Sequence, residues 1–294
     1  MKSTLDCLEC IVRQALRASR VATTDPAVQR QIIDETSRRI GELDLEDSPA
    51  SVSMMAYEIT SQLSGNADPY RELKWKQNEL ALAMEPALRH LVDAEPDRLE
   101  AALHIAAAGN VIDLGVMTTE QIDVEAAVTQ VMHERFAVDH SAAFKASLSR
   151  CKDLLYLLDN AGEIVFDKIL IEELQKHTRV TAVVKAGPMI NDVLREDAEQ
   201  VGLTQLCEVI DNGGAFIGSP LHRVPQAFLD RMAAADMIVG KGQGNYETVD
   251  DFDGDVFLIL RAKCEIVAAH MGVKYGQVGL ISTRVRNSGG VARV

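Results

Sequence analysis

The first hundred residues carry apolar side chains that recur with the period of an α-helix. In the segment CLECIVRQALRASRVA they fall at Leu8, Ile11, Val12, Ala15 and Leu16, which share one face of a helix. The same period returns in three later segments, residues 26–43, 50–63 and 71–92. Prolines stand near helix starts, where a missing N–H group costs nothing. We therefore predict an all-helical N-terminal domain over residues 1–100.

Beyond residue 150, short apolar segments alternate with segments of helical pattern. The apolar segments are residues 153–159, 179–186, 206–211, 236–242 and 255–261. Continuous apolar strands that alternate with helices are typical of a parallel sheet covered by helices on both faces. Residues 121–150 also have a helical pattern. The predicted fold class is α/β, with a Rossmann-like, mostly parallel sheet flanked by helices, in a domain that spans residues 101–294.

Polar residues follow each predicted strand at its carboxyl end. They are Asp159, Asn160 and Glu163 after the first strand, Lys185, Asn191 and Asp192 after the second, Asp211 and Asn212 after the third, Lys241 and Asn245 after the fourth, and Lys263 after the fifth. In an open parallel sheet, the ligand crevice lies outside these strand ends. We therefore expect the polar residues to meet at one edge of the sheet.

The chemistry of this edge is one of oxygen ligands, with few histidines. Carboxylate and carboxamide oxygens suit a divalent cation such as Mg²⁺ or Mn²⁺, and closely spaced carboxylates repel each other unless a cation lies between them. Lys185 and Lys241 could hold an anionic group. A plainer interpretation is also open, because Asp and Asn are common helix caps and turn residues. On that interpretation Glu163 favours the start of a helix. On either interpretation we expect Asp167 on the helix surface.

Composition argues against nucleic acid and membranes as partners of the protein. The 294-residue chain has a formal net charge of −14, which repels nucleic acid phosphates, and it shows no basic stripe. We expect neither a membrane span nor a signal peptide, because no long apolar run is present. The five cysteines are an odd and scattered set, which argues for reduced thiols in the cytoplasm. Cys7 and Cys10 are interpreted as small buried residues on a helix face, or else as ligands or a redox guard that meets Cys264 near the crevice.

Several motifs, in the same order along the chain, resemble the damage-control phosphatase family, once catalogued as domain of unknown function 89. They are DNAGEIVFD, VVKAGPMINDV, VIDNGG, GKGQGNYET and RAKCEIVAAHMGV, while CLECIVRQALR, ADPYRELK and AAAGNVIDLG resemble its prokaryotic branch. The resemblance runs nearly end to end. It implies a phosphatase that depends on a divalent metal ion (Mg²⁺, Mn²⁺, Co²⁺ or Ni²⁺). Such an enzyme hydrolyses phosphate monoesters of small phosphometabolites, namely sugar phosphates, nucleotides or damaged cofactor intermediates.

The resemblance also assigns roles to residues. It implies that Asp159, Asn160 and Asp192 are the metal ligands and the catalytic residues. It implies substrate contacts at Glu163, Lys185, Asn191, Asn110, Asp113, Asn245 and Lys263. For the reaction we favour an attacking water molecule, assisted by a nearby carboxylate, over a covalent intermediate on Asp159.

Two other functions stay open on the sequence. One is a carboxyl methyltransferase that uses S-adenosylmethionine, since the family includes a proposed example and a fold alone does not settle a reaction. A glycine-rich turn after the first strand would favour it, but here that turn is acidic and suits a cation better. The other is a metabolite-binding module without catalysis, which has no need of a metal cluster.

Overall fold

The computed structural model describes residues 1–111 and 135–288, so the predicted substrate residue Asp113 lies outside the described residues. The helices are α1 (Leu5–Ala22), α2 (Pro26–Arg39), α3 (Pro49–Ser64), α4 (Arg71–Ala94), α5 (Arg98–Val111), α6 (Ser141–Leu148), α7 (Glu163–Leu174), α8 (Arg195–Gln200), α9 (Leu203–Leu206), α10 (Gln226–Ala234), α11 (Gly242–Val249), α12 (Glu265–Met271) and α13 (Thr283–Ser288). The strands are β1 (Val138–Asp139), β2 (Asp153–Leu157), β3 (Arg179–Val184), β4 (Glu208–Asp211), β5 (Met237–Lys241), β6 (Val256–Arg261) and β7 (Val278–Ser282). The predicted α/β class is confirmed.

The first three helices pack around a small core of their own. Ile11 on α1, Ile32 on α2 and Ile59 on α3 are all buried there. The helix starts follow from local chemistry: the Asp25 side chain accepts a hydrogen bond from the N–H of Ala27 at 2.8 Å, just before α2. The predicted helical N-terminal region is therefore present.

Helices α4 and α5 both pack against α7, so they belong to the layer that covers the sheet, whereas α3 packs against α11. Helix α5 begins at Arg98 and crosses the boundary expected near residue 100. The division of the chain into two domains stays a prediction. Within the segment 121–150, the described residues form a helix only over Ser141–Leu148, and Val138–Asp139 form a strand instead.

The sheet has seven strands in the order β1-β7-β6-β5-β2-β3-β4. Every neighbouring pair is parallel except β6 and β7, which are antiparallel. The five predicted strands correspond to β2 through β6. Two strands were not predicted: β1 has only two residues, and β7 follows β6 through a single short helix and closes back antiparallel.

The strand order reverses beside β2. From β2 the chain continues through α7 to β3 on one side, whereas β5 pairs with β2 on the other side. The carboxyl ends of β2, β3 and β5 therefore border the crevice in which open α/β sheets bind ligands. Among the described residues, no helix is both long and apolar enough to cross a membrane.

Candidate active site

Two loops meet in the crevice, one after β2 and one after β3. The backbone N–H of Val193 donates to the carbonyl of Asp159 at 2.9 Å. Asn160 and Asp192 lie opposite each other in an antiparallel bridge. Gly162, with a φ of 75°, then turns the chain into α7, a conformation that glycine adopts without strain. The structure thus brings together the two motifs that the sequence placed at neighbouring strand ends.

The three predicted metal ligands lie in this bridge. Asn160 Nδ2 donates to Asp159 Oδ2 at 2.6 Å. Asp192 Oδ2 is buried without a hydrogen-bond partner among the described residues and lies 3.7 Å from Lys185 Nζ. An orphaned carboxylate oxygen beside a second carboxylate and an amide is a donor set that a hard divalent cation accepts.

Burial raises the pKa of both carboxyl groups in the bridge. The pKa of Asp192 is raised to about 8 by burial, with a contribution from the Asp159 charge, although Lys185 opposes the shift. The pKa of Asp159 is raised to about 6 by burial and by the neighbouring Glu163 charge. A cation bound between such carboxylates would favour their charged forms.

The side chains that could bind a cation here are two carboxylates and an amide. Among residues 1–111 and 135–288, no group of three or more His, Cys, Asp or Glu side chains is placed to hold a metal ion. A cation site built on Asp159 and Asp192 could take the amide of Asn160 as a third protein donor. The nitrogen of that amide now faces Asp159, and a flip of the side chain would present its oxygen instead.

Glu163 occupies the wall of the crevice and is almost fully buried, with 3% of its surface exposed. Its Oε2 accepts from Asn110 Nδ2 at 3.0 Å and from Asn160 Nδ2 at 3.2 Å. Its Oε1 accepts from Lys241 Nζ at 2.7 Å. Burial opposes ionisation, but the charges of Lys241 and Lys263 outweigh it and lower the pKa of Glu163. Glu163 is thus an ionised carboxylate held in one orientation.

Lys241 and Asp167 form a buried ion pair behind Glu163. Lys241 Nζ donates to Asp167 Oδ1 at 2.6 Å, and the Tyr156 hydroxyl donates to the same oxygen at 2.9 Å. The expectation that Asp167 lies on the helix surface is wrong, because it is 0% exposed. Helix α7 lies between the sheet and helices α4 and α5, so its outer face is covered as well.

Two further predicted substrate residues also contact this wall of the site. Asn110, on α5, reaches Asp159 Oδ2 at 3.3 Å and accepts from the backbone N–H of Arg261 at 3.1 Å. Lys185 donates to the carbonyl of Gly218 at 2.8 Å and is buried. These contacts fix both side chains at the edge of the bridge.

The other predicted substrate residues differ in exposure. Asn245 is buried, and its amide nitrogen donates to three backbone carbonyls, among them that of Lys241 at 2.8 Å. Its Oδ1 has no partner among the described residues. Lys263 is exposed, and its charge acts on both Asp159 and Glu163. Asn191 lies in the loop between β3 and α8 and is partly exposed. The roles of these residues in substrate binding stay predictions.

A cavity of about 250 Å³ lies between the helical region and the loop after β3. Its walls come from α1, α3, the turn before α4 and the segment 188–190. The lining residues are Ala18, Tyr57, Glu58, Thr60, Ser61, Gln62, Ala67, Asp68, Pro69, Tyr70, Pro188, Met189, Ile190 and Ala215. Ile190 has a φ of 49°, which is strained for a β-branched residue. Such strain is concentrated at functional sites, and here it lies between the cavity and Asn191.

The cysteines show mixed environments. Cys7 is buried, whereas Cys10 is exposed, so the interpretation of both as buried residues is correct only for Cys7. Cys264 caps α12, because its sulfur accepts from the N–H of Val267 at 3.4 Å. Gln243 Nε2 also lies 3.7 Å from that sulfur. These contacts give Cys264 a structural role.

Comparison with known proteins identifies the family. Residues 3–278 match the model of the damage-control phosphatase ARMT1-like domain. The chain belongs to this family. It is 32% identical to a damage-control phosphatase of Pyrococcus horikoshii, over 94% of this chain and 96% of the relative. It is 30% identical to a damage-control phosphatase of Archaeoglobus fulgidus, over 95% of this chain and 98% of the relative.

A solved structure supports the same family. The crystal structure of a DUF89 family protein from Pyrococcus horikoshii superposes with a TM-score of 0.89 at 31% sequence identity. The match covers 96% of this chain and 99% of the other. Both the family resemblance and the fold expected from the sequence are therefore confirmed.

Proposed function

We propose that the protein is a divalent-metal-dependent phosphatase that hydrolyses phosphate monoesters of small phosphometabolites. Two relatives named damage-control phosphatases are 32% and 30% identical in sequence to this chain. They support the phosphatase reaction and a role in metabolite damage control. The observation that carries the proposal is the bridge between Asn160 and Asp192, which sets two carboxylates and an amide beside Lys185 at the strand-order reversal. The cytoplasm stays the proposed location.

Asp159, Asn160 and Asp192 would hold the metal ion. A divalent ion there would supply positive charge to the phosphate oxygens and so favour phosphoryl transfer. Mg²⁺, Mn²⁺, Co²⁺ and Ni²⁺ all accept oxygen ligands, so all four are candidates.

The remaining groups would bind the phosphate and position the attacking water molecule. Lys263 is exposed at the crevice, and Lys185 lies beside Asp192, so both can face phosphate oxygens. Glu163 stays ionised, since its pKa is lowered, and can accept a hydrogen bond that orients the water molecule that attacks phosphorus. Lys241 and Asn110 hold Glu163 in place for that role.

The test is hydrolysis of p-nitrophenyl phosphate by protein treated with a chelator and then supplied with each of the four cations. We expect hydrolysis only after a divalent ion is returned. Full activity after chelation would contradict the metal dependence, and no hydrolysis of any ester with any ion would contradict the phosphatase assignment. Calorimetry with S-adenosylmethionine tests the methyltransferase alternative, for which we expect no binding.

A further inference from the structure

The cavity of about 250 Å³ takes no part in the chemistry described so far. We propose that it is the subsite for the alcohol portion of the phosphate ester, and that it selects small alcohols without a negative charge of their own. The inference rests on the proposed function, because it concerns which esters the crevice receives.

The position of the cavity links it to the crevice. Met189 and Ile190 line it, and the next residues along the chain are Asn191 and Asp192. On the opposite wall, Tyr57 lies close enough to Asp192 that the Asp192 charge contributes, after burial, to the raised pKa of the Tyr57 hydroxyl. A phosphate bound at Asp192 would therefore place its alcohol portion within reach of the cavity.

The size of the cavity favours a small occupant. Ligand pockets commonly measure about 300–1,000 Å³, so a cavity of about 250 Å³ lies just below the small end of this range. It suits a small alcohol. The lining mixes aromatic rings with hydroxyl and amide groups: Tyr57, Tyr70, Thr60, Ser61 and Gln62. Such groups can donate to and accept from the hydroxyl groups of an alcohol.

The charges of the lining are all negative. Glu58 and Asp68 contribute carboxylates, and the described lining residues include no Lys or Arg. Both carboxylates have a cation beside them: Arg223 lies 3.9 Å from Glu58, and Lys74 lies 3.3 Å from Asp68. Arg17 acts on the hydroxyls of both lining tyrosines but is itself exposed on α1 and does not line the cavity.

An anionic group that entered the cavity would therefore lose water without a cation among the lining residues to pair with. Burial of an unpaired charge is unfavourable, and the two carboxylates add repulsion. A neutral alcohol avoids both costs, and a cationic one gains from the carboxylates.

Three esters of similar size test this selectivity: glycerol phosphate, phosphoethanolamine and phosphoglycerate. Their alcohol portions are neutral, cationic and anionic. We expect the wild-type kcat/KM for phosphoglycerate to be about tenfold or more below the other two values. Glu58→Lys places a cation on the cavity wall at a partly exposed position, where loss of the pair with Arg223 costs little stability. This variant should reduce the discrimination by about tenfold.

Glu95→Lys is the matched control. It makes the same change of net charge at an exposed residue just after α4, whereas Tyr70 lies just before α4. A helix of 24 residues spans about 36 Å at 1.5 Å per residue, so this charge lies far from the cavity. We expect the control to discriminate among the esters as the wild type does.

The subsite proposal would be overturned if the ratio of kcat/KM values among the three esters were the same in the wild type and in Glu58→Lys. It would also be overturned if the wild type hydrolysed all three esters with equal kcat/KM. Calorimetric titration of the same three esters into both proteins gives a second measurement that needs no turnover. If the wild type hydrolyses neither these esters nor p-nitrophenyl phosphate, the proposed function is contradicted; if it hydrolyses only p-nitrophenyl phosphate, the proposed function stands. In both cases the binding affinities alone decide whether the cavity discriminates by charge.

Discussion

The Lys241 ammonium donates to Glu163 Oε1 at 2.7 Å, and neither side chain reaches solvent to any useful extent. The same ammonium donates to Asp167 and to the carbonyl of Ala106 on α5. One buried cation thus faces two buried carboxylates and ties three elements, α5, α7 and β5, behind the crevice. The position of Glu163 at the active site depends on this cation.

Lys241→Met should destabilise the protein by about 3–5 kcal/mol, because it leaves buried carboxylates without their cation. Urea unfolding measures this change in the free energy of unfolding. Adding Asp167→Asn to the variant removes one uncompensated charge and should recover part of the loss. Lys152→Met is the control, since Lys152 is exposed. Equal stability of the Lys241 and Lys152 variants would show that the buried pair does not matter.

The bridge predicts that substitution of Asp192 reduces activity strongly, whereas substitution of Asp211, at another strand end, does not. Asp192→Asn should lower phosphatase activity by more than the roughly 10- to 100-fold that residues behind a metal ligand cause. It should also abolish the rise in melting temperature that we expect Mn²⁺ to produce in the wild type. Asp211→Asn is the matched control, because Asp211 ends β4 at the surface and caps a turn by accepting from the N–H of Gly213. Loss of activity in both variants would point to a general effect of strand-end acids.

Much of this site could be predicted because parallel strands impose a simple rule. Apolar runs indicated β2 and β3, and the polar residues Asp159 and Asp192 had to meet once those strands were neighbours. Periodicity carried no such information about Asp167. Its burial depends on α4 and α5 packing over α7, which is tertiary structure. One signal was available, since Lys241 ends the apolar strand β5 and a lysine buried there needs a carboxylate partner.

Other failures of prediction have equally local causes. Strand β1 pairs through only Val138 and Asp139, a length that no periodicity can reveal. The cavity combines residues of α3 with the strained Ile190, and contacts between segments so distant along the chain are not encoded in any short pattern.

Gly242→Ala should abolish activity through direct displacement of a ligand. A methyl group on Gly242 would overlap the Asp159 carboxylate, and the φ of 75° is unfavourable for alanine. Gly272→Ala separates the two effects, because Gly272 has the same φ of 75° and nothing within 4 Å of the added carbon. Both variants should lose about 1 kcal/mol or more from backbone strain, but only Gly242→Ala should lose hydrolysis and Mn²⁺ binding. Full activity in Gly242→Ala would show that Asp159 can move without consequence.

Glu247 predicts a dependence of stability on pH. Burial raises the pKa of Glu247 to about 7 in the folded state, against about 4.3 in the unfolded chain. Between these values the unfolded chain has released a proton that the folded protein still holds. The free energy of unfolding therefore falls as pH rises through this window, by up to about 4 kcal/mol.

Glu247→Gln removes this titration while it keeps an oxygen for the hydrogen bond from Gln243 Nε2, which is 2.8 Å in the wild type. The stability of the variant relative to the wild type should therefore increase from about pH 4 to about pH 7 and then stay constant. Urea unfolding across this range measures the difference. The control is Glu79→Gln, at an exposed position of α4, for which the difference should stay nearly flat. A flat difference for Glu247→Gln as well would show that Glu247 ionises at its ordinary pKa despite its burial.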